Sequence, residues 1–107
     1  MRAELHPEAR AELRSAALWY EERRAEFGDR LIARFDEALE RVVSSPRLYP
    51  LWPGTEHAPI PIRRAAIEQF PYFIAFEVHS ERMLVLAVAH GKRQPLYWLA
   101  RATGTPG

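Results

Sequence analysis

The densest run of chemically able side chains lies near the C-terminus, in His90-Gly91-Lys92-Arg93-Gln94 and on through Tyr97, Trp98 and Arg101. An imidazole titrates near neutrality and can exchange protons. Lys92 and Arg93 together can hold a phosphate or a carboxylate. Tyr97 can donate a hydroxyl proton or stack against a ring. A second basic group is Arg63-Arg64. On a strand these two point to opposite faces, so only one of them can serve a given site. Two chemistries fit. His90, Tyr97, Lys92, Arg93 and one of Arg63 and Arg64 could supply acid, base and cations around the phosphorane of a ribonuclease reaction. The same basic surface could instead dock an acidic protein partner. Against both stands a plainer reading. His90 is then a satisfied buried histidine, Tyr97 and Trp98 anchor a final helix, and Lys92-Arg93 is a solvated turn.

Other chemistries find no support. The four histidines, His6, His57, His79 and His90, never fall three or four apart, and there is no cysteine. A metal centre needs three or more converging ligands, so none is expected. There is no Gly-x-Ser-x-Gly elbow and no glycine-rich phosphate loop, so neither serine hydrolysis nor a nucleotide cofactor is expected.

The chain around these residues has 107 positions, enough for one domain, with an expected body over residues 1–102 and a flexible tail over 103–107. Fifteen basic residues oppose fourteen acidic ones, which excludes both a uniformly basic nucleic-acid coat and an acidic solvating chain. Fourteen of the fifteen are arginine; Lys92 is the only lysine. The near-neutrality hides an asymmetry. Residues 1–56 carry a net −2 and residues 57–107 a net +3, so the second half is the expected anion-facing surface. The opening Met-Arg-Ala-Glu-Leu-His-Pro-Glu has no apolar run, and the longest such run, 83–89, is far short of the ~20 residues that cross a bilayer. A cytoplasmic protein without membrane contact is expected.

The periodicities say which elements hold these groups. Residues 2–5 suit a short strand, and Pro7 suits the first turn of a helix. Ala9, Leu13, Ala16, Ala17 and Tyr20 make one apolar stripe; Glu8 and Glu12 complement the helix dipole. Phe27, Leu31, Phe35, Ala38, Leu39 and Val42 make a second stripe, with Gly28 near the break and Ser45-Pro46 as the stop. Residues 46–61 hold five of the nine prolines and predict an ordered loop over the core. Strands are predicted over 62–67, 72–78 and 83–89, the last buried on both faces, and a short helix over 95–101. The order β-α-α-β-β-β(-α) gives an α+β fold, with the helical hairpin packed on a small, twisted, mostly antiparallel sheet.

These pieces, in this order, resemble the RelE/ParE superfamily of toxins from bacterial type II toxin-antitoxin systems. The resemblance rests on His6-Pro7-Glu8-Ala9, Leu13, Trp19-Tyr20-Glu21, Phe27-Gly28-Asp29-Arg30-Leu31, Ser45-Pro46 with Tyr49-Pro50, and Ile62-Arg63-Arg64. It continues through Phe70-Pro71-Tyr72, the run from Val85 to His90, and Arg93, Pro95, Tyr97-Trp98 and Arg101. It implies a cognate antitoxin whose C-terminal segment wraps and neutralises the toxin in a hetero-oligomer. It also implies one of two activities: cleavage of mRNA on the ribosome, as in RelE-like members, or poisoning of DNA gyrase, as in ParE-like members. Gly91-Lys92-Arg93 matches the nuclease pattern. However, Tyr97 follows Arg93 by only four residues, Tyr72-Phe73-Ile74 lacks an arginine, and Arg63-Arg64 comes without a lysine pair. Trp19-Tyr20-Glu21-Glu22 and Phe70-Pro71-Tyr72 are similar to ParE. The resemblance therefore implies a ParE-like, gyrase-directed, non-enzymatic toxin of a plasmid-stabilisation module. Its expected partner and target contacts are Arg63, Arg64, Lys92, Arg93, Tyr97, Trp98 and Arg101. The alternatives are an mRNA interferase using His90, Lys92, Arg93 and Tyr97, or a non-toxic interaction module.

Overall fold

The computed structural model describes residues 1–94 and 96–103. The chain forms β1 (Arg2–Leu5), α1 (Pro7–Arg23), α2 (Phe27–Ser44), a helical turn at Pro46–Leu48, β2 (Ile62–Ala66), β3 (Tyr72–Val78), β4 (Arg82–His90) and a last helical turn at Leu99–Arg101. The four strands lie in the order β1-β4-β3-β2; β1 runs parallel to β4 and the other pairs are antiparallel. This is the α+β, mostly antiparallel arrangement that the periodicities predict.

Local chemistry sets the helix ends. The His6 ring nitrogen Nδ1 accepts from Glu8 N–H at 3.1 Å, and Pro7 occupies the first turn, where its missing N–H costs nothing. The connection to α2 is made tight by Glu21. Its carboxylate accepts from Glu26 N–H at 2.8 Å and Gly28 N–H at 3.0 Å, so a side chain on α1 caps the start of α2. Gly28 has no substitute there, because a Cβ would stand 2.4 Å from the Ala17 carbonyl oxygen.

The sheet is covered on both faces. Leu13, Ala16, Leu31, Phe35 and Val42 from the helices bury Ile74, Phe76, Val85 and Val88 on one side. On the other, Ile62, Ala75, Leu86, Ala87 and Ala89 lie under Trp98, Trp52, Leu96 and Ala102. The proline-rich loop thus packs down, as its apolar residues predict, and residues 50–52 lie along the β2 edge through Trp52 N–H to Ile62 O (2.8 Å) and Arg64 N–H to Pro50 O (3.0 Å).

A bulge in β4 decides which residues face the helices. Ala75 pairs with Ala87, but Phe76 pairs with Val85, so Leu86 is the extra residue. Leu86 and Ala87 both join the far face, and the alternation resumes one step out of phase. Val88 is thereby turned toward α1, and His90, two residues on, shares its side of the pleat.

The predicted helix over 95–101 is a correction. Pro95 lies outside the described residues. Leu96 has φ 60°, in the left-handed region that an α-helix cannot use, and only Leu99–Arg101 completes a helical turn. Tertiary anchoring overrides the helical pattern here: Trp98, 1% exposed, is held edge-on against Trp52 with ring centroids 5.0 Å apart. Thr103, the first residue of the expected tail, is tied in by hydrogen bonds from its N–H (2.9 Å) and hydroxyl (2.7 Å) to the fully buried Glu77. Residues 104–107 lie outside the described part.

Candidate functional site

β1 ends at Leu5, where the chain turns into α1, and His6 N–H closes the ladder on Val85 O at 2.9 Å. β4 continues to His90, and among the described residues no strand lies beside its outer edge beyond Val85. Side chains take over there. Glu12 Oε1 accepts from Val88 N–H at 3.0 Å, and the Arg101 guanidinium donates to Leu86 O at 3.1 Å. Arg101 also grips Glu12 with two parallel bonds of 3.0 and 3.1 Å, the bidentate geometry that suits a planar fork. The Tyr97 hydroxyl donates to Glu12 Oε2. One carboxylate, only 13% exposed at its side chain, therefore joins α1, the β4 edge and the C-terminal segment.

A groove of about 590 Å³ opens beside this cluster, between α1 and the end of the sheet. Its aromatic wall is Trp19, Tyr20 and Tyr72; its polar groups are Glu8, Glu12, Ser15, His90, Arg93 and Arg101. The His90 ring meets Tyr72 edge-on at 5.1 Å, and its Nδ1 accepts from Lys92 N–H at 3.0 Å, which leaves the ring proton of the neutral form on Nε2. The Arg93 guanidinium carbon lies 4.2 Å from the Tyr97 ring centroid; that of Arg101 is 5.4 Å away. Burial, the bond to Glu12 and the Glu12 charge all push the Tyr97 phenol well above its ordinary range, against the opposing pull of Arg93 and Arg101. Tyr72 is raised too, by burial and then by Tyr20, with Arg93 again opposing.

The predicted residues separate in space. His90, Arg93 and Arg101 line the groove, and Tyr97 stands behind Arg93. Lys92 is exposed on the turn beside them. Trp98, expected among the contacts, is interior and cannot reach a partner. Arg63 and Arg64 lie on β2, two strands away from β4. Arg63 donates to Tyr49 O at 2.7 Å on the helical side, while Arg64 lies 5.7 Å from the Phe73 ring centroid. Neither joins the groove. Among the described residues no group of His, Asp and Glu is placed to hold a metal ion, and no helix is long and apolar enough to cross a membrane.

Glu12 is the residue that sequence reasoning missed. Its early place in α1 suits the helix dipole, yet it sits three after Ala9 and four before Ala16, at the margin of the buried stripe. An acid in that place must find partners, and this was the available signal.

Residues 3–95 match the family described as ParE toxin of type II toxin-antitoxin system, parDE. No curated protein matches the chain. Among solved structures, a chain from the chromosomal ParDE TA system from P. aeruginosa superposes with a TM-score of 0.69 at 15% identity, covering 84% of this chain and 95% of that one. At that identity the likeness shows a shared fold.

Proposed function

Since the chain belongs to the ParE toxin family of type II toxin-antitoxin systems, we propose that it is a cytoplasmic toxin that a cognate antitoxin neutralises and that acts by binding and inhibiting DNA gyrase. The observation that carries this reading is the groove. Its aromatic wall offers apolar anchors, and Arg93 is the one groove cation with no carboxylate partner among the described residues. Such a surface suits an acidic, partly apolar protein segment, with the rings giving affinity and the arginine giving register.

The nuclease alternative has less to work with. The Tyr97 hydroxyl is committed to Glu12, and the Arg101 guanidinium is neutralised by the same carboxylate. Of the nuclease candidates this leaves His90, Lys92 and Arg93. The antitoxin is expected to be the product of a short neighbouring reading frame that co-purifies with this chain.

The experiment is a pair of assays on purified protein. Gyrase supercoiling should fall in its presence, while mRNA in a translating extract stays intact. Site-specific mRNA cleavage with gyrase unaffected would overturn the proposal.

A further inference from the structure

Arg93 stands on an exposed turn, where an arginine side chain ordinarily samples many rotamers. Here it does not stand alone. Its guanidinium lies over the Tyr97 ring at 4.2 Å. Tyr97 is in turn fixed at its far end by the bond from its hydroxyl to Glu12. Glu12 itself cannot swing, because Val88 N–H and both outer nitrogens of Arg101 hold its oxygens. The three side chains form a relay from α1 to the mouth of the groove, and among the described residues the Arg93 cation has no carboxylate partner of its own. We propose that Glu12 is a positioning residue that, through the Tyr97 ring, holds Arg93 ready to receive one carboxylate of a protein partner. The proposal rests on the partner-binding reading above and adds the chemistry of the contact.

The charges favour one carboxylate over a phosphate chain. Arg101 is already neutralised by Glu12, and Glu8 brings to the same groove an exposed carboxylate that has no cation partner among the described residues. Lys92 stands outside the groove on the turn, so successive phosphates laid into it would meet one unneutralised guanidinium and then a like charge. An acidic residue set among aliphatic or aromatic neighbours would meet Arg93 and then Trp19, Tyr20 and Tyr72. Holding the guanidinium in place beforehand removes part of the ordering cost that binding would otherwise incur.

The test uses the full chain and short random peptides displayed on phage. Selected peptides should share one Asp or Glu at a fixed place; the best is then synthesised in that form and with the matching amide. Tyr97→Phe keeps the ring but loses the hydroxyl, and Glu12→Gln loses the charge that grips Arg101. Each should weaken the acidic peptide about tenfold, leave the amide peptide unchanged, and add nothing once Arg93 is alanine. Proton shifts of the Arg93 side chain, moved by the Tyr97 ring current in the wild type, should return toward free values in Tyr97→Phe. Equal losses for acidic and amide peptides, or losses that add to Arg93→Ala, would overturn the relay and make the cluster a packing device. An acid-free consensus that still binds the groove sinks the relay and spares the partner reading; the absence of any selected peptide sinks both.

Discussion

The Tyr97 hydroxyl donates to the Glu12 carboxylate across 85 positions of sequence, joining the first helix to the segment that follows β4. That bond requires the phenol to keep its proton. Its acidity is suppressed in the folded chain, so the folded state holds this proton where the unfolded chain, near pH 10, has begun to lose it. The stabilisation is fully present below about pH 10 and fades as the pH climbs from there toward the folded value. Urea unfolding across the alkaline range should show this decline, and Tyr97→Phe should flatten it. A wild-type slope retained in the variant would assign the effect to Tyr72, the other raised phenol.

Glu12→Ala should destabilise the chain by about 3 kcal/mol, because it strands Arg101 and leaves Val88 N–H without an acceptor. The loss should exceed that of Arg64→Ala, whose guanidinium has only a distant ring contact. Denaturant midpoints at neutral pH compare the two.

At Gly28 the usual helix rule reverses. Alanine normally gains up to about 1 kcal/mol over glycine inside a helix. Here its methyl would press on the Ala17 carbonyl oxygen at 2.4 Å and crowd the Glu21 cap. Gly28→Ala should therefore cost about 1–3 kcal/mol, measured as a lower thermal midpoint. A rise in the midpoint would show that α1 and α2 can part without loss.

Glu77→Ala should release the C-terminal end. It removes the acceptor of both Thr103 bonds and of the His79 contact at 3.1 Å. Trp98 fluorescence should shift to the red as water reaches the ring, and proteolysis should begin near residue 103. Unchanged emission would mean that Trp52 and the sheet hold Trp98 without help.

Much of the fold was legible because its signals are local. The stripes that begin at Ala9 and Phe27, Pro7, the stop at Pro46 and the apolar run 83–89 each fall on the element they predict. What escaped depended on contacts between distant parts. The stretch ending at Arg101 has a helical pattern, yet Trp98 under the sheet and Arg101 on Glu12 fix it in another shape. His90, Arg93 and Arg101 were named from residue type and do meet in one groove. Arg63 and Arg64 were named for the same reason and fall elsewhere, since strand order, not charge, decides which residues are neighbours. Nothing in the sequence shows the extra residue Leu86 that turns Val88 and His90 toward α1. Glu12 alone left a readable trace, as an acid beside the buried stripe.

β4 takes its neighbours from far before and from after it in sequence: β1 along its first half, and Glu12 with Arg101 along its second. During synthesis, then, the helical hairpin emerges before β4, and β1 waits for that later strand. Glu12 is ready early, but Arg101, which seals the same edge with it, is made later still. Pairings so distant in sequence are slow to close. The nascent chain therefore carries an unsealed β4 edge until Arg101 has emerged from the ribosome, and the finished groove exists only after that.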